Sequence, residues 1–108
     1  MIISNPIKSI LAQDSIYLEE YCAEDSTMAT QFKVEGEFDL FEFKLLSSRR
    51  GYSPIYFSRL NRIQLEVDGI SFHITSRGLV NASRITSPSV FISALSKVSA
   101  TLLDCYKS

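Results

Sequence analysis

The stretch Ile63-Gln64-Leu65-Glu66-Val67-Asp68-Gly69-Ile70-Ser71-Phe72-His73-Ile74 restricts the possible folds more than any other part of the chain. Apolar and polar residues alternate on both sides of Asp68-Gly69, the period of a strand with one buried face. Asp-Gly suits a type I′ turn, which needs positive φ at both central residues and reverses two strands without splaying them. A two-residue turn sets the register. Val67 faces Ile70, Leu65 faces Phe72 and Ile63 faces Ile74 on one side, while Glu66 faces Ser71 and Gln64 faces His73 on the other. A slip of one residue would turn every apolar side chain into water. A lone hairpin is marginal, so the remaining chain is expected to cover this apolar face.

A helix at each end supplies the expected cover. Asn5 (or Ser4) as N-cap with Pro6 at the first helical position opens an N-terminal helix. Ile7, Ile10, Leu11, Tyr17, Leu18, Tyr21 and Cys22 form its apolar stripe, and Glu24 and Asp25, which oppose the helix dipole, place its end by about residue 24. Ser87-Pro88 repeats the start signal for a C-terminal helix, with Val90, Phe91, Leu95, Val98, Leu102, Cys105 and Tyr106 on one face and its end near Lys107. Ser89, Ser93, Ser96 and Ala100 make a parallel stripe of small residues on that helix.

Between the helices the pattern is that of strands. Residues 31–40 alternate, and at Phe41 the phase flips, which predicts two strands joined by a short irregular turn near Asp39-Leu40. Ser47 to Pro54 has loop composition, Ile55-Tyr56-Phe57 is a short strand, and Leu60-Asn61 a bend. Ser76-Arg77-Gly78 breaks the chain before a last edge strand within 79–85. The expected fold is one α+β domain over residues 1–108. It has an N-terminal helix, a four- to five-stranded antiparallel sheet and a C-terminal helix, both helices on one face of the sheet.

The apolar fraction of 45% and charged fraction of 21% are ordinary for a globular chain, and no apolar run approaches a membrane span. Met1-Ile2-Ile3-Ser4-Asn5-Pro6 lacks a secretory signal, and Cys22 and Cys105 are too few for a disulfide framework, so a cytoplasmic location is expected. Asn81-Ala82-Ser83 matches a glycosylation sequon that matters only in a secreted chain. The net charge of −1 conceals a division. Residues 1–48 carry nine acids against three lysines, whereas residues 49–84 carry all six arginines against Glu66 and Asp68.

Catalytic chemistry is not indicated. The zinc-type ligands Cys22, His73 and Cys105 stand singly on separate elements, so no metal and no cofactor is expected. No Gly-x-Ser-x-Gly elbow or phosphate-binding glycine loop is present. The best candidate site is the stretch in which Arg49, Arg50, Arg59 and Arg62 are interleaved with Tyr52, Tyr56 and Phe57. Guanidinium groups beside aromatic rings suit an acidic protein surface or the phosphates and bases of single-stranded nucleic acid. A pI near 5.8 weighs against nucleic acid. The expectation is a non-catalytic protein-binding module of the adaptor, dedicated-chaperone or inhibitor kind, with Arg49, Arg50, Tyr52, Arg59 and Arg62 on its binding surface. Nucleic-acid binding is the alternative. A homodimer could form through the small-residue stripe or through a sheet edge at 31–38 or 79–85.

Overall fold

A computed structural model describes residues 2–4, 15–17, 19–22 and 27–107. Its elements run β1 (Ile2–Ser4), β2 (Ser15–Tyr17), β3 (Glu19–Cys22), β4 (Thr27–Lys33), β5 (Glu37–Phe38), α1 (Leu40–Arg49), β6 (Ile55–Phe57), β7 (Arg62–Val67), β8 (Ile70–Thr75), β9 (Leu79–Ile85), α2 (Pro88–Leu103) and β10 (Tyr106–Lys107). A 3-10 turn, Ser58–Leu60, joins β6 to β7 and ends at Asn61 in the left-handed conformation.

The β7–β8 hairpin forms in the register that the alternation requires, from Val67↔Ile70 to Arg62↔Thr75. Asp68 and Gly69 take φ of 54° and 81°, as a type I′ turn demands. Around this hairpin an antiparallel sheet is built in the order β3-β4-β9-β8-β7-β6, five of its strands within residues 27–85 and the sixth, β3, at one margin. One face is apolar: Phe32, Ile63, Leu65, Val67, Ile70, Phe72, Ile74, Val80 and Ala82 are all buried there. A bulge lets β9 keep this face to its end. Arg84 at φ 64° absorbs an extra residue, so Ala82 and Ile85, three apart, both reach the core.

Both helices lie on that face and share one hydrophobic cluster with it. In α2, Ser87 caps the first turn by accepting from the Val90 N–H, and Phe91 stacks on Phe72 and meets Phe32 edge-on, each with ring centroids 6.4 Å apart. The α+β class and the antiparallel sheet thus hold, but the helix that partners α2 is not the expected one. Of the expected N-terminal helix, residues 5–14 lie outside the described residues, and 15–17 and 19–22 are strands. Tyr and Ile there suit extended backbone, and the edge of β4 satisfies the Glu19–Cys22 peptide groups through Glu19↔Ala29 and Glu20↔Met28.

The covering partner is α1, which replaces the expected strand at 41–45 and the start of the expected loop. Asp39 caps it by accepting from the Glu42 N–H at 3.1 Å. Gly51, at φ 92°, ends it: its N–H donates to Ser48 O and the Tyr52 N–H to Ser47 O, a Schellman pair of bonds. Leu40, Phe43 and Ser47 point inward at helical spacing. The phase flip at Phe41 is therefore a change from period two to period 3.6, not an inserted residue.

Two further differences concern the margins. The segments 31–38 and 79–85 are not free edges, because β4 is paired to β3 and β9, and β9 to β4 and β8. Helix α2 ends at Leu103 rather than near Lys107, and the chain then returns as β10, pairing Tyr106 with Phe38 and Lys107 with Glu37. Those two rings meet edge-on at 5.7 Å. No helix among the described residues is long and apolar enough to cross a membrane.

Candidate functional site

The sheet margin formed by β6 gathers what the core does not use. Eight large apolar side chains are exposed among the described residues, and four of them lie on or beside β6: Phe41 at 53%, Leu45 at 41%, Ile55 at 54% and Leu60 at 62%. Their exposure follows from local geometry. Phe41 and Leu45 are four apart on α1, on the side turned away from Leu40 and Phe43, and Phe41 meets the Tyr56 ring at 6.4 Å. Tyr56 is on the core side of β6, since it pairs with the buried Ile63, so Ile55 and Phe57 lie on the opposite, open face beside Gln64 and Arg62. Leu60 projects from the 3-10 turn that follows. The apolar surface thus lies on both sides of a single strand.

Among the described residues that strand is paired on one side only. The two-residue turn makes Val67↔Ile70 a hydrogen-bonded pair, so Ile63, Leu65 and Val67 direct their peptide groups to β8, and Arg62 and Gln64 direct theirs to β6. Ile55 and Phe57 then bond to β7, which leaves the N–H and C=O of Tyr56 pointing outward. No backbone partner for Tyr56 beyond the sheet is present among the described residues. Pro54, directly before the strand, shortens this edge.

The predicted site residues separate into three environments. Arg50 is engaged: it donates to Thr101 Oγ1 and reaches Asp104 Oδ2 at 2.8 Å, tying the end of α1 to the end of α2. Tyr52 is half-buried against the core. Arg49 is exposed at the end of α1, one turn beyond Leu45, and Arg59 is exposed in the 3-10 turn. Arg62 lies on the open face with its guanidinium 5.4 Å from the Phe57 ring centroid, and its Nε is buried without a partner. Among the described residues, Arg49, Arg59 and Arg62 form no ion pair, in contrast to Arg50 with Asp104 and Lys97 with Asp68.

Phe41 and Leu45 were not legible as site residues because alternation assigned them to a strand. Asp39 with Glu42 three residues on, and Gly51 after the arginines, were the start and stop signals that would have found the helix.

The other candidate groups are dispersed. His73 sits on the open face opposite Gln64 and Asn81, and its pKa is lowered by partial burial and then by the nearby Arg62 charge. Cys105 is on the core side, where burial, with Glu42, Asp104 and Asp39 adding to it, pushes the thiol up to about 12. These two face opposite sides of the sheet, and no three His, Cys, Asp or Glu residues cluster among the described residues. Ser89, Ser93, Ser96 and Ala100 are exposed on α2. An open notch of about 390 Å³ lies beside them, lined by Asp68, Ser89, Val90, Ser93 and Lys97. On its wall Lys97 donates to the two Asp68 oxygens at 3.0 and 2.9 Å.

No family model, curated protein or solved structure matches the chain.

Proposed function

We propose that this protein is a non-catalytic protein-binding module whose partner docks on the β6 margin. The observation that carries the reading is the concentration of Phe41, Leu45, Ile55 and Leu60 around one sheet edge, next to arginines that have no carboxylate partner among the described residues. Exposed apolar groups collected on one surface and rimmed by charge mark interaction sites, whereas single exposed apolar residues are ordinary. Arg and aromatic side chains are also those that most often dominate binding energy.

The double variant Phe41→Ser/Ile55→Ser tests this. Both side chains are more than half exposed, so folding stability should change by no more than about 0.5 kcal/mol per site. A partner identified by mass spectrometry after capture from native lysate should be lost from this variant. It should be retained by Gln31→Ala, on an exposed position of the interior strand β4. Equal capture by both variants would remove the margin from consideration.

The second reading, binding of single-stranded nucleic acid, draws on Arg62 over Phe57 and on Lys33 along the same row of the open face. It requires affinity for an oligonucleotide that falls steeply with salt, with a shallower slope in Arg59→Ala/Arg62→Ala. Absence of retention at low salt would eliminate it.

A further inference from the structure

We infer that the β6 margin takes an extended acidic segment of a partner protein, added to the sheet as one more antiparallel strand, the direction of every pairing in this sheet. This rests on the protein-binding reading above and states its mode. Three features converge on it. Tyr56 presents an outward N–H and C=O, the minimum needed to start a backbone ladder with a new strand. Phe41 on the helix side and Ile55 on the open side lie above and below that ladder, where alternate side chains of an added strand would rest. Arg59, in the 3-10 turn just beyond its end, and Arg62, on β7 opposite Phe57 with its guanidinium over that ring, have no carboxylate partner among the described residues, so the segment that best matches them carries Asp or Glu among its apolar residues.

The charge argues against a second copy placed edge to edge. Two β6 strands related by a twofold axis would bring two sets of these arginines into one interface, where like charges oppose association. Nucleic acid would satisfy the charge, but it has no use for a free strand edge. The shortness of β6, limited by Pro54 on one side and the 3-10 turn on the other, means that the backbone supplies few bonds and the side chains most of the selectivity.

Fluorescence anisotropy with labelled synthetic peptides tests the inference on the full chain. The probes are a short peptide alternating Val and Glu, its Val–Lys counterpart, and two forms of the Val–Glu peptide N-methylated at alternate residues on one edge or the other. The Val–Glu peptide is expected to bind saturably, with the Val–Lys peptide at least about tenfold weaker. N-methylation should abolish binding on one edge only, because a strand uses one edge to pair. Arg59→Glu/Arg62→Glu should reverse the charge preference, with its thermal unfolding midpoint recorded to show that it folds. Equal tolerance of both N-methylated forms would overturn strand addition, and equal affinity for the Lys peptide would overturn the acidic partner. Tighter binding of an oligothymidylate would assign the arginines to nucleic acid, and a dimer in sedimentation that Ile55→Asp dissociates would assign the edge to a second copy. Failure of the peptides, with a lysate partner still lost in Phe41→Ser/Ile55→Ser, would overturn the strand mode and leave the protein-binding reading standing.

Discussion

The middle of the sheet and its β6 margin are built from similar residues in opposite surroundings. In β7, β8 and β9 every large apolar side chain of the core face is buried, and each strand is paired on both sides. At the margin, Ile55 and Phe41 are as apolar as Ile63 and Phe72, yet more than half of each meets solvent. The arginines differ in the same way: Arg50 closes on Asp104, while among the described residues Arg59 and Arg62 have no carboxylate partner. Apolar content alone therefore does not separate a buried residue from an exposed one; the number of elements packed against it does.

The largest test of this contrast lies in the centre. Phe72 is fully buried against Phe91, so Phe72→Ala should cost about 3–5 kcal/mol in urea denaturation, through lost transfer energy and a cavity between sheet and α2. A loss below about 1 kcal/mol would mean that the centre is no more committed to folding than the margin is.

Next comes the end of the sheet that is joined by backbone. Val34 N donates to Gly78 O at 2.7 Å, Phe38 N to Ser76 O at 2.8 Å and Ser76 N to Asn61 O at 3.1 Å, so one turn holds β4, β5 and β7 together. Gly78 has φ of 91°, and a Cβ there would lie 2.1 Å from the Val34 carbonyl oxygen, which cannot swing away. Gly78→Ala should cost about 2–3 kcal/mol. Gly69→Ala, also at positive φ but with nothing within 4 Å of its Cβ, should cost about 1–2 kcal/mol. Equal losses would show that backbone conformation alone decides both.

The smallest effect concerns the open face. Partial burial and then Arg62 hold the His73 pKa below its usual 6.5, so the folded protein takes up its proton less readily than the unfolded chain. This contribution to stability is complete above about pH 6.5, declines as the pH falls towards the lowered value, and is constant below it. His73→Gln should flatten the dependence of the urea midpoint on pH as the pH falls below about 6.5. If Arg62→Ala leaves the wild-type slope unchanged, the arginine has no part in it.

How far the residues could be read depends on how local their reasons are. In residues 62–75 the turn residues and the alternation agree, and neither needs help from elsewhere, so the register was legible to the residue. In residues 39–51 two apolar stripes overlap. Leu40 and Phe43 serve the core, Phe41 and Leu45 the surface, and together they imitate a strand. The surplus stripe that concealed α1 is the same one that forms the proposed docking margin. A local pattern that misleads at the proposed docking margin is what a fold with one site of conflict would produce.

Sequence by itself determined the hairpin, its wet and dry faces, the start of α2, and the α+β character, because turn chemistry, periodicity and capping act over a few residues. Only tertiary structure decided which strands are interior, that residues 19–22 join the sheet, that β10 returns to β5, and that Arg50 is tied down while Arg59 and Arg62 are not. Those outcomes depend on pairings between segments far apart in the chain, where the winning contact is the one that satisfies the most backbone groups and buries the most apolar surface at once.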